Sequence, residues 1–179
     1  MRIISGTHKS RRINAPKNLP VRPTTDMAKE GLFNILNNIV DFTELKVLDL
    51  FAGTGSISLE FASREALSVT SVDSNYRCVD FIRKISKDLG IINVNAVRAD
   101  VFKFLDKPVH ESYDLIFSDA PYDLDRIADI PGLILNKGWI KKNAWLIIEH
   151  PRGIDFTRHM HFYQVRNYGK VYFSFFMQS

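Results

Sequence analysis

Residues Val47 to Ser58, Val-Leu-Asp-Leu-Phe-Ala-Gly-Thr-Gly-Ser-Ile-Ser, constrain the fold more than any other stretch of this chain. Lys46 to Phe51 is a short apolar run, β-branched in part and stopped just beyond by glycine, and so reads as a buried strand. Ala52-Gly53-Thr54-Gly55 supplies a turn where backbone can approach a ligand with no Cβ atoms in the way. From Ser56 onward Ile57 and Phe61 stand four apart, as in the first turns of a helix. Strand, glycine turn and helix in that order make a nucleotide-type pocket with a helix N-terminus directed into it.

Two ligand chemistries compete for such a pocket. A dinucleotide fold wants a third glycine three residues after Gly55, for close helix–strand packing, and Ser58 stands there. An S-adenosylmethionine pocket seats no pyrophosphate and needs no such glycine. It gains instead from an acid at the strand end, Asp49, which can accept from the ligand's ammonium group. Asp73 follows the strand-like run Leu67 to Val72 and suits ribose hydroxyls in either fold. The missing glycine favours S-adenosylmethionine; a nicotinamide dehydrogenase also lacks a second domain and an evident hydride-acceptor site here.

The chain has 179 residues, the size of one domain with a layered core, and residues 1–179 are read as such. No apolar run reaches the ~18 residues that span a membrane, and the N-terminus turns basic after Ile3-Ile4 without a signal-peptide core. The lone cysteine, Cys78, makes no internal disulfide and sits on the apolar face of an expected helix; no metal-ligand spacing occurs, so no metal is expected. These features predict a cytoplasmic protein. The net charge of +4 is unevenly spread. Residues 1–23 form a basic arm carrying Arg2, Lys9, Arg11, Arg12, Lys17 and Arg22 with no Asp or Glu, a footprint suited to phosphate backbones. Within it, Arg2 to Ser5, Gly6, then Arg11 to Ile13 predict a short hairpin with Lys9, Arg11 and Arg12 near its turn.

Further along, Thr24 or Thr25 can cap a helix bearing Leu32, Ile35, Leu36 and Ile39, with close packing as the reason for Gly31 inside it. After the second strand, Ser74 is the expected cap of a helix with Cys78, Ile82, Ile85 and Leu89 on one face, closed by Gly90. Strands are expected at Ile92 to Val97, Tyr113 to Ser118 and Ala144 to Ile148, with a mostly helical stretch up to Leu135. The tail, from Gln164 through Asn167-Tyr168-Gly169 to Phe176, reads as a closing hairpin. Such alternation predicts an α/β fold, a doubly wound, mostly parallel sheet with an antiparallel strand at the tail. Ligands of these sheets bind beyond the carboxyl ends of the strands. Asp49, Asp73, Asp100 and Asp119 each fall at such an end.

Asp119-Ala120-Pro121-Tyr122 is the most specific chemical signal. Pro121 forces Ala120 away from helical geometry, so the chain stays extended and the Ala120 carbonyl can face the site. An ionised Asp119 only accepts. Together they can take both N–H bonds of an exocyclic amine and turn its lone pair towards an incoming methyl group. The carboxylate would also stabilise positive charge developing on nitrogen. Tyr122 offers a flat face on which a flipped base can stack.

Over nearly its whole length the chain resembles the RsmD family of bacterial 16S ribosomal RNA guanine-N2 methyltransferases. The resemblance is carried by Arg2-Ile3-Ile4-Ser5-Gly6, Arg22-Pro23-Thr24-Thr25-Asp26, Leu32-Phe33-Asn34-Ile35-Leu36, Asp49 to Gly55 and Asp119 to Tyr122, in that order and spacing. It implies a class I S-adenosylmethionine-dependent fold with an N-terminal β-hairpin extension that touches RNA, modifying the N2 amine of guanine 966 (conventional bacterial rRNA numbering) in 16S rRNA, with an assembling or assembled small ribosomal subunit as substrate. The protein is expected to act as a monomer. The resemblance implies that Asp49, Phe51, Gly53 and Gly55 line the methionine end of the cofactor and Asp73 holds the ribose. Asp100 and the Val101 N–H would read the adenine, Asp119 to Tyr122 would hold the guanine, and Lys9, Arg11, Arg12 and Arg22 would touch RNA, with Arg22 and Thr24 near the site mouth. The chain departs from the family's pattern in three ways: Ala120 replaces a proline, Glu65 stands where glycine is common after the first helix of the pocket, and Met27-Ala28-Lys29 replaces a stretch often richer in arginine. Other planar amines, adenine N6 or protein glutamine, would suit the same tetrapeptide logic. A ribosome-assembly binding module with a vestigial site is the non-enzymatic alternative.

Overall fold

A computed structural model of the chain describes residues 1–16, 19 and 25–179. Arg22, Thr24 and most of the proline-rich stretch before them lie outside the described residues. In chain order the elements are α1 (Asp26–Leu36), β1 (Lys46–Leu50), α2 (Ser56–Ser63), β2 (Ser68–Asp73), α3 (Tyr76–Leu89), β3 (Val94–Arg98), α4 (Val101–Leu105), β4 (Tyr113–Asp119), α5 (Ile130–Leu135), β5 (Ile140–His150), β6 (Phe162–Tyr168) and β7 (Val171–Met177). The seven strands form one sheet in the order β3-β2-β1-β4-β5-β7-β6. The first five are parallel, and β7 runs antiparallel between β5 and β6.

Side chains alternate across this sheet and build a core on each face. Val47, Leu115, Phe117 and Ile147 pack with Leu32 and Phe33 of α1 and Phe61 of α2. Leu48, Ile116, Leu146 and Ile148 face the other way, onto Leu105 of α4 and Ile130 and Ile134 of α5. Helices therefore cover both faces, and strand order reverses between β1 and β4, the place where such sheets open a crevice.

Local signals explain most boundaries. Thr25 caps α1 by accepting from the Ala28 N–H, and Asp26 lies in its first turn. Asn75, one residue after the expected Ser74, caps α3 by accepting from the Arg77 N–H at 2.9 Å, and Gly90 ends that helix in the left-handed region. Helix α2 closes in the same way although the residue is Glu65, at φ +66°, with the Ala66 and Glu65 N–H groups bonded to the Phe61 and Ala62 carbonyls at 3.1 and 3.0 Å. A glycine-type ending is thus held by a glutamate, at a cost of roughly 1–2 kcal/mol.

Other boundaries shift. Ile92 is 96% exposed, and β3 begins at Val94. Strand β5 begins at Ile140, ahead of the expected Ala144, because the polar Lys141-Lys142-Asn143 continues the strand with Asn143 at φ +59°. Ile39 lies beyond the end of α1 and is 37% exposed. Gly31 does sit in a tight contact, since a Cβ there would lie 2.2 Å from the Tyr168 ring.

The first residues pair through a single antiparallel bridge, Arg2 with Arg12, and this short hairpin is docked on α2. Gly6, at φ +82°, passes so close to the end of α2 that a Cβ would meet the Ser63 carbonyl oxygen at 1.8 Å. The Thr7 N–H donates to that same oxygen at 2.7 Å. Glu60, fully buried, accepts from the Ile4 and Ser5 N–H groups at 2.8 and 3.0 Å and pairs with the buried Lys29 at 3.3 Å. Lys29 also donates to the Arg2 carbonyl at 2.6 Å. Lysine in the stretch noted as poor in arginine therefore ties α1, α2 and the hairpin together. Among the described residues no helix is long and apolar enough to cross a membrane.

Candidate active site

A cleft of about 650 Å³ opens beyond the carboxyl ends of β1, β2, β4 and β5. The β1 end and glycine turn contribute its floor. Asp49 is 1% exposed there and accepts a short hydrogen bond from the Ser58 hydroxyl, which in turn accepts from the Ser71 hydroxyl at 2.6 Å. Burial pushes the Asp49 carboxyl up to about 7, with the Ser58 bond pulling the other way. Ser58, noted in the sequence for the glycine it replaces, is thus the side chain that orients this acid. Phe51 turns the chain out of β1 at φ +59° and meets Phe102 edge-on at 6.2 Å.

Asp73 ends β2 with both carboxylate oxygens engaged, one by the Gly53 N–H at 2.8 Å and one by the Asn75 N–H at 2.8 Å. It therefore holds the glycine turn and the start of α3 in one arrangement. Gly55 lies under the wall, not in it. Its φ is +73° and a Cβ would sit 2.7 Å from Ile82, so its smallness serves the packing of α2 on α3.

Asp119 to Tyr122 form the facing wall, where the Leu124 N–H closes a turn on the Pro121 carbonyl at 2.9 Å. Ala120 is fully buried, whereas Tyr122 is 38% exposed. The Tyr122 hydroxyl donates to Glu149 at 3.1 Å. Glu149 is 3% exposed, pairs in register with Asp119 across β4 and β5, and lines the same cleft. The sequence reading missed it, although an acid closing the apolar run that ends at Ile148 repeats the pattern of Asp49, Asp73 and Asp119. Next to it, His150 is buried, which holds its pKa below the usual value. Its ring nitrogens lie 3.0 Å from the Pro151 carbonyl and 2.8 Å from the Ser174 hydroxyl, tying β5 to β7.

The rim is completed by Thr25 and Met27 at the start of α1 and by Tyr168 to Val171 at the β6–β7 turn. Asp100 and Val101 fall outside the cleft lining. Asp100 is exposed and caps α4 by accepting from the Lys103 N–H at 2.9 Å, while Val101 is buried in the core. Lys9, Arg11 and Arg12 are exposed on the N-terminal hairpin, and Arg22 lies outside the described residues.

A parallel sheet reversing at β1 and β4, extended by an antiparallel β7, with an acid-lined cleft at the reversal, defines the class I S-adenosylmethionine-dependent methyltransferase fold. A solved S-adenosylmethionine-dependent methyltransferase from Aquifex aeolicus shares it at a TM-score of 0.62 and 15% identity, over 82% of this chain and 89% of that one. A provisionally assigned methyltransferase of Escherichia coli, yhhF, matches at a TM-score of 0.87 and 24% identity, over 100% of this chain and 98% of the other. The profile of the family described as conserved hypothetical protein 95 matches residues 1–177. Ribosomal RNA small subunit methyltransferase D of Buchnera aphidicola (subspecies Baizongia pistaciae) is 36% identical over 155 residues, 87% of this chain and 78% of that protein. The chain belongs to this family, the RsmD family.

Proposed function

We propose that this chain methylates the N2 amine of a guanine of the guanine 966 type in 16S rRNA, using S-adenosylmethionine and acting as a monomer on the small ribosomal subunit. The observation that carries the reading is the single cleft shared by Asp49, Gly53 and Asp73 on one side and Asp119 to Tyr122 on the other. The residues present suit the cofactor. Asp49 is a buried acceptor for an ammonium group, Gly53 leaves backbone bare beside it, and Asp73 is a held carboxylate of the kind that takes ribose hydroxyls. When bound, the cofactor would supply an electrophilic methyl group, transferred from its sulfur to N2.

The protein's own part is positioning and charge. Asp119 and the Ala120 carbonyl hold the two N–H bonds of N2, so the nitrogen lone pair is freed from the ring and directed at the methyl group. As N2 becomes cationic the Asp119 carboxylate stabilises it, then takes one of its protons and passes it to solvent. Tyr122, whose hydroxyl bonds Glu149, would stack its ring on the extruded base. The exposed Lys9, Arg11 and Arg12 supply sequence-independent attraction to the RNA backbone.

The test is methyl transfer to small subunits isolated from a strain lacking this gene, followed by mapping of the modified base. Asp119→Ala is expected to abolish transfer while leaving S-adenosylmethionine affinity within about twofold by calorimetry. Normal methylation by this variant, or a methyl group mapped to another amine, overturns the reading. A vestigial site would give no saturable heat with S-adenosylmethionine.

A further inference from the structure

We propose that Lys170, at the tip of the β6–β7 turn, binds a backbone phosphate flanking the target nucleotide and so holds the extruded base at the depth that methyl transfer needs. The inference rests on the proposed transfer to a base in RNA. Four carboxyl groups line the cleft, those of Asp49, Asp73, Asp119 and Glu149, and among the described residues Lys170 is the one basic side chain that joins them. RNA carries a negative charge at every nucleotide, so an acid-lined interior turns its backbone away and admits only the uncharged base. The phosphates on either side of that base therefore stay at the rim. Lys170 is exposed there, and among the described residues no carboxylate is in an ion pair with it.

The place of the lysine across the sheet favours this ligand. The strands run in the order β1, β4, β5, β7, so at about 4.8 Å per step the turn stands roughly 10 Å from the β4 end and roughly 14 Å from the β1 end. Lys170 thus borders the half of the cleft assigned to the base, away from the glycine turn. Its mounting is stiff. Only Gly169 and Lys170 separate the paired Tyr168 and Val171, and the Asn167 side chain donates to the Gly169 and Val171 carbonyls at 3.0 and 3.3 Å. Tyr168 seats its ring against Gly31 of α1, where no side chain intervenes. Lys29, two positions back and so about 200° round the helix, donates to the Arg2 carbonyl of the N-terminal hairpin. One turn of α1 therefore sets the spacing between Lys170 and the hairpin that bears Lys9, Arg11 and Arg12, and the two basic features meet one RNA chain from fixed positions.

The test is a double-substitution cycle read as kcat/KM. Small subunits are reconstituted around rRNA with an uncharged methylphosphonate 5′ of the target nucleotide, 3′ of it, or at neither place, and each is offered to wild type and to Lys170→Met. On unmodified subunits Lys170→Met should lose about tenfold, the low end for a hydrogen bond between charged groups because the rim is exposed. At one of the two positions the methylphosphonate should cost wild type about the same factor and Lys170→Met less than about twofold, since its partner is already gone. Lys170→Arg, which keeps the charge, should stay within about threefold of wild type. Losses that multiply at both positions overturn the inference, as does full activity of Lys170→Met. By calorimetry the S-adenosylmethionine affinity of Lys170→Met should stay within about twofold of wild type; a drop of about tenfold assigns the lysine to the cofactor's carboxylate and also overturns the inference. The proposed activity survives each of these failures, whereas absence of transfer to RNA by wild type overturns both.

Discussion

Replacing Asp49 by Asn tests the floor of the cleft with little change in size. The carboxyl is buried, and burial raises it from 3.8 to about 7. Such a group is roughly 10% ionised at pH 6 and roughly 90% at pH 8. Since only the carboxylate holds an ammonium strongly, affinity for S-adenosylmethionine should rise about tenfold across that interval. The same titration acts on folding with the opposite sign. Between 3.8 and about 7 the folded chain keeps a proton that the unfolded chain has released, so its contribution to stability falls as pH rises through that window. The full difference is about 4 kcal/mol, at 1.36 kcal/mol for each pH unit separating the two states. Asn cannot titrate, so Asp49→Asn should lose the pH slope of cofactor binding and become relatively more stable than wild type above pH 7. At pH 8 its cofactor affinity should be lower by roughly 10- to 100-fold, the worth of one charged hydrogen bond. Calorimetric titration from pH 6 to 8 and urea unfolding at the same pH values check both arms. A flat wild-type affinity, or a slope that survives in Asp49→Asn, refutes the reasoning.

Three other perturbations probe the scaffold and the RNA face. Gly31→Ala puts a methyl group 2.2 Å from the Tyr168 ring, and the overpacking, about 1–3 kcal/mol, should exceed the gain of about 1 kcal/mol in helix propensity; the urea midpoint reads it. Glu60→Ala leaves the buried Lys29 ammonium uncompensated and two hairpin N–H groups without their acceptor, so stability should drop by about 3–5 kcal/mol in the same assay. Reversing Lys9, Arg11 and Arg12 to Glu should weaken binding to small-subunit RNA and flatten the dependence of log K on log salt by about 2. Filter binding at several salt concentrations measures that change, and S-adenosylmethionine affinity should stay constant.

The elements that sequence reveals are those whose signals are local. Val47 to Leu50, the glycine turn, Thr25 and Gly90 each declare themselves through their immediate neighbours, and the structure places them as expected. What escapes the sequence is decided across the sheet. Ser58 shows only the lack of a glycine until Asp49 is seen against it, nine positions away in the chain. Nothing in the spacing of Lys29 and Glu60, on two different helices, says that they are buried partners. Asp100 follows a strand and so resembles the other acids, but β3 ends at Arg98 and the carboxylate is taken by the first turn of α4. Glu149 is the reverse case, an acid at a strand end hidden in a run that is otherwise apolar.

The position of β7 has a consequence for synthesis on the ribosome. Residues 171–177 follow both of their neighbouring strands in the chain, yet they fill an interior slot between β5 and β6. Until they emerge from the exit tunnel, Trp145 to Ile148 present an apolar, unpaired edge, the kind of surface on which nascent chains stick to one another. The turn that leads into β7 is also a wall of the cleft. A chain stalled before residue 171 would therefore lack both the cover for that edge and one wall of the cleft.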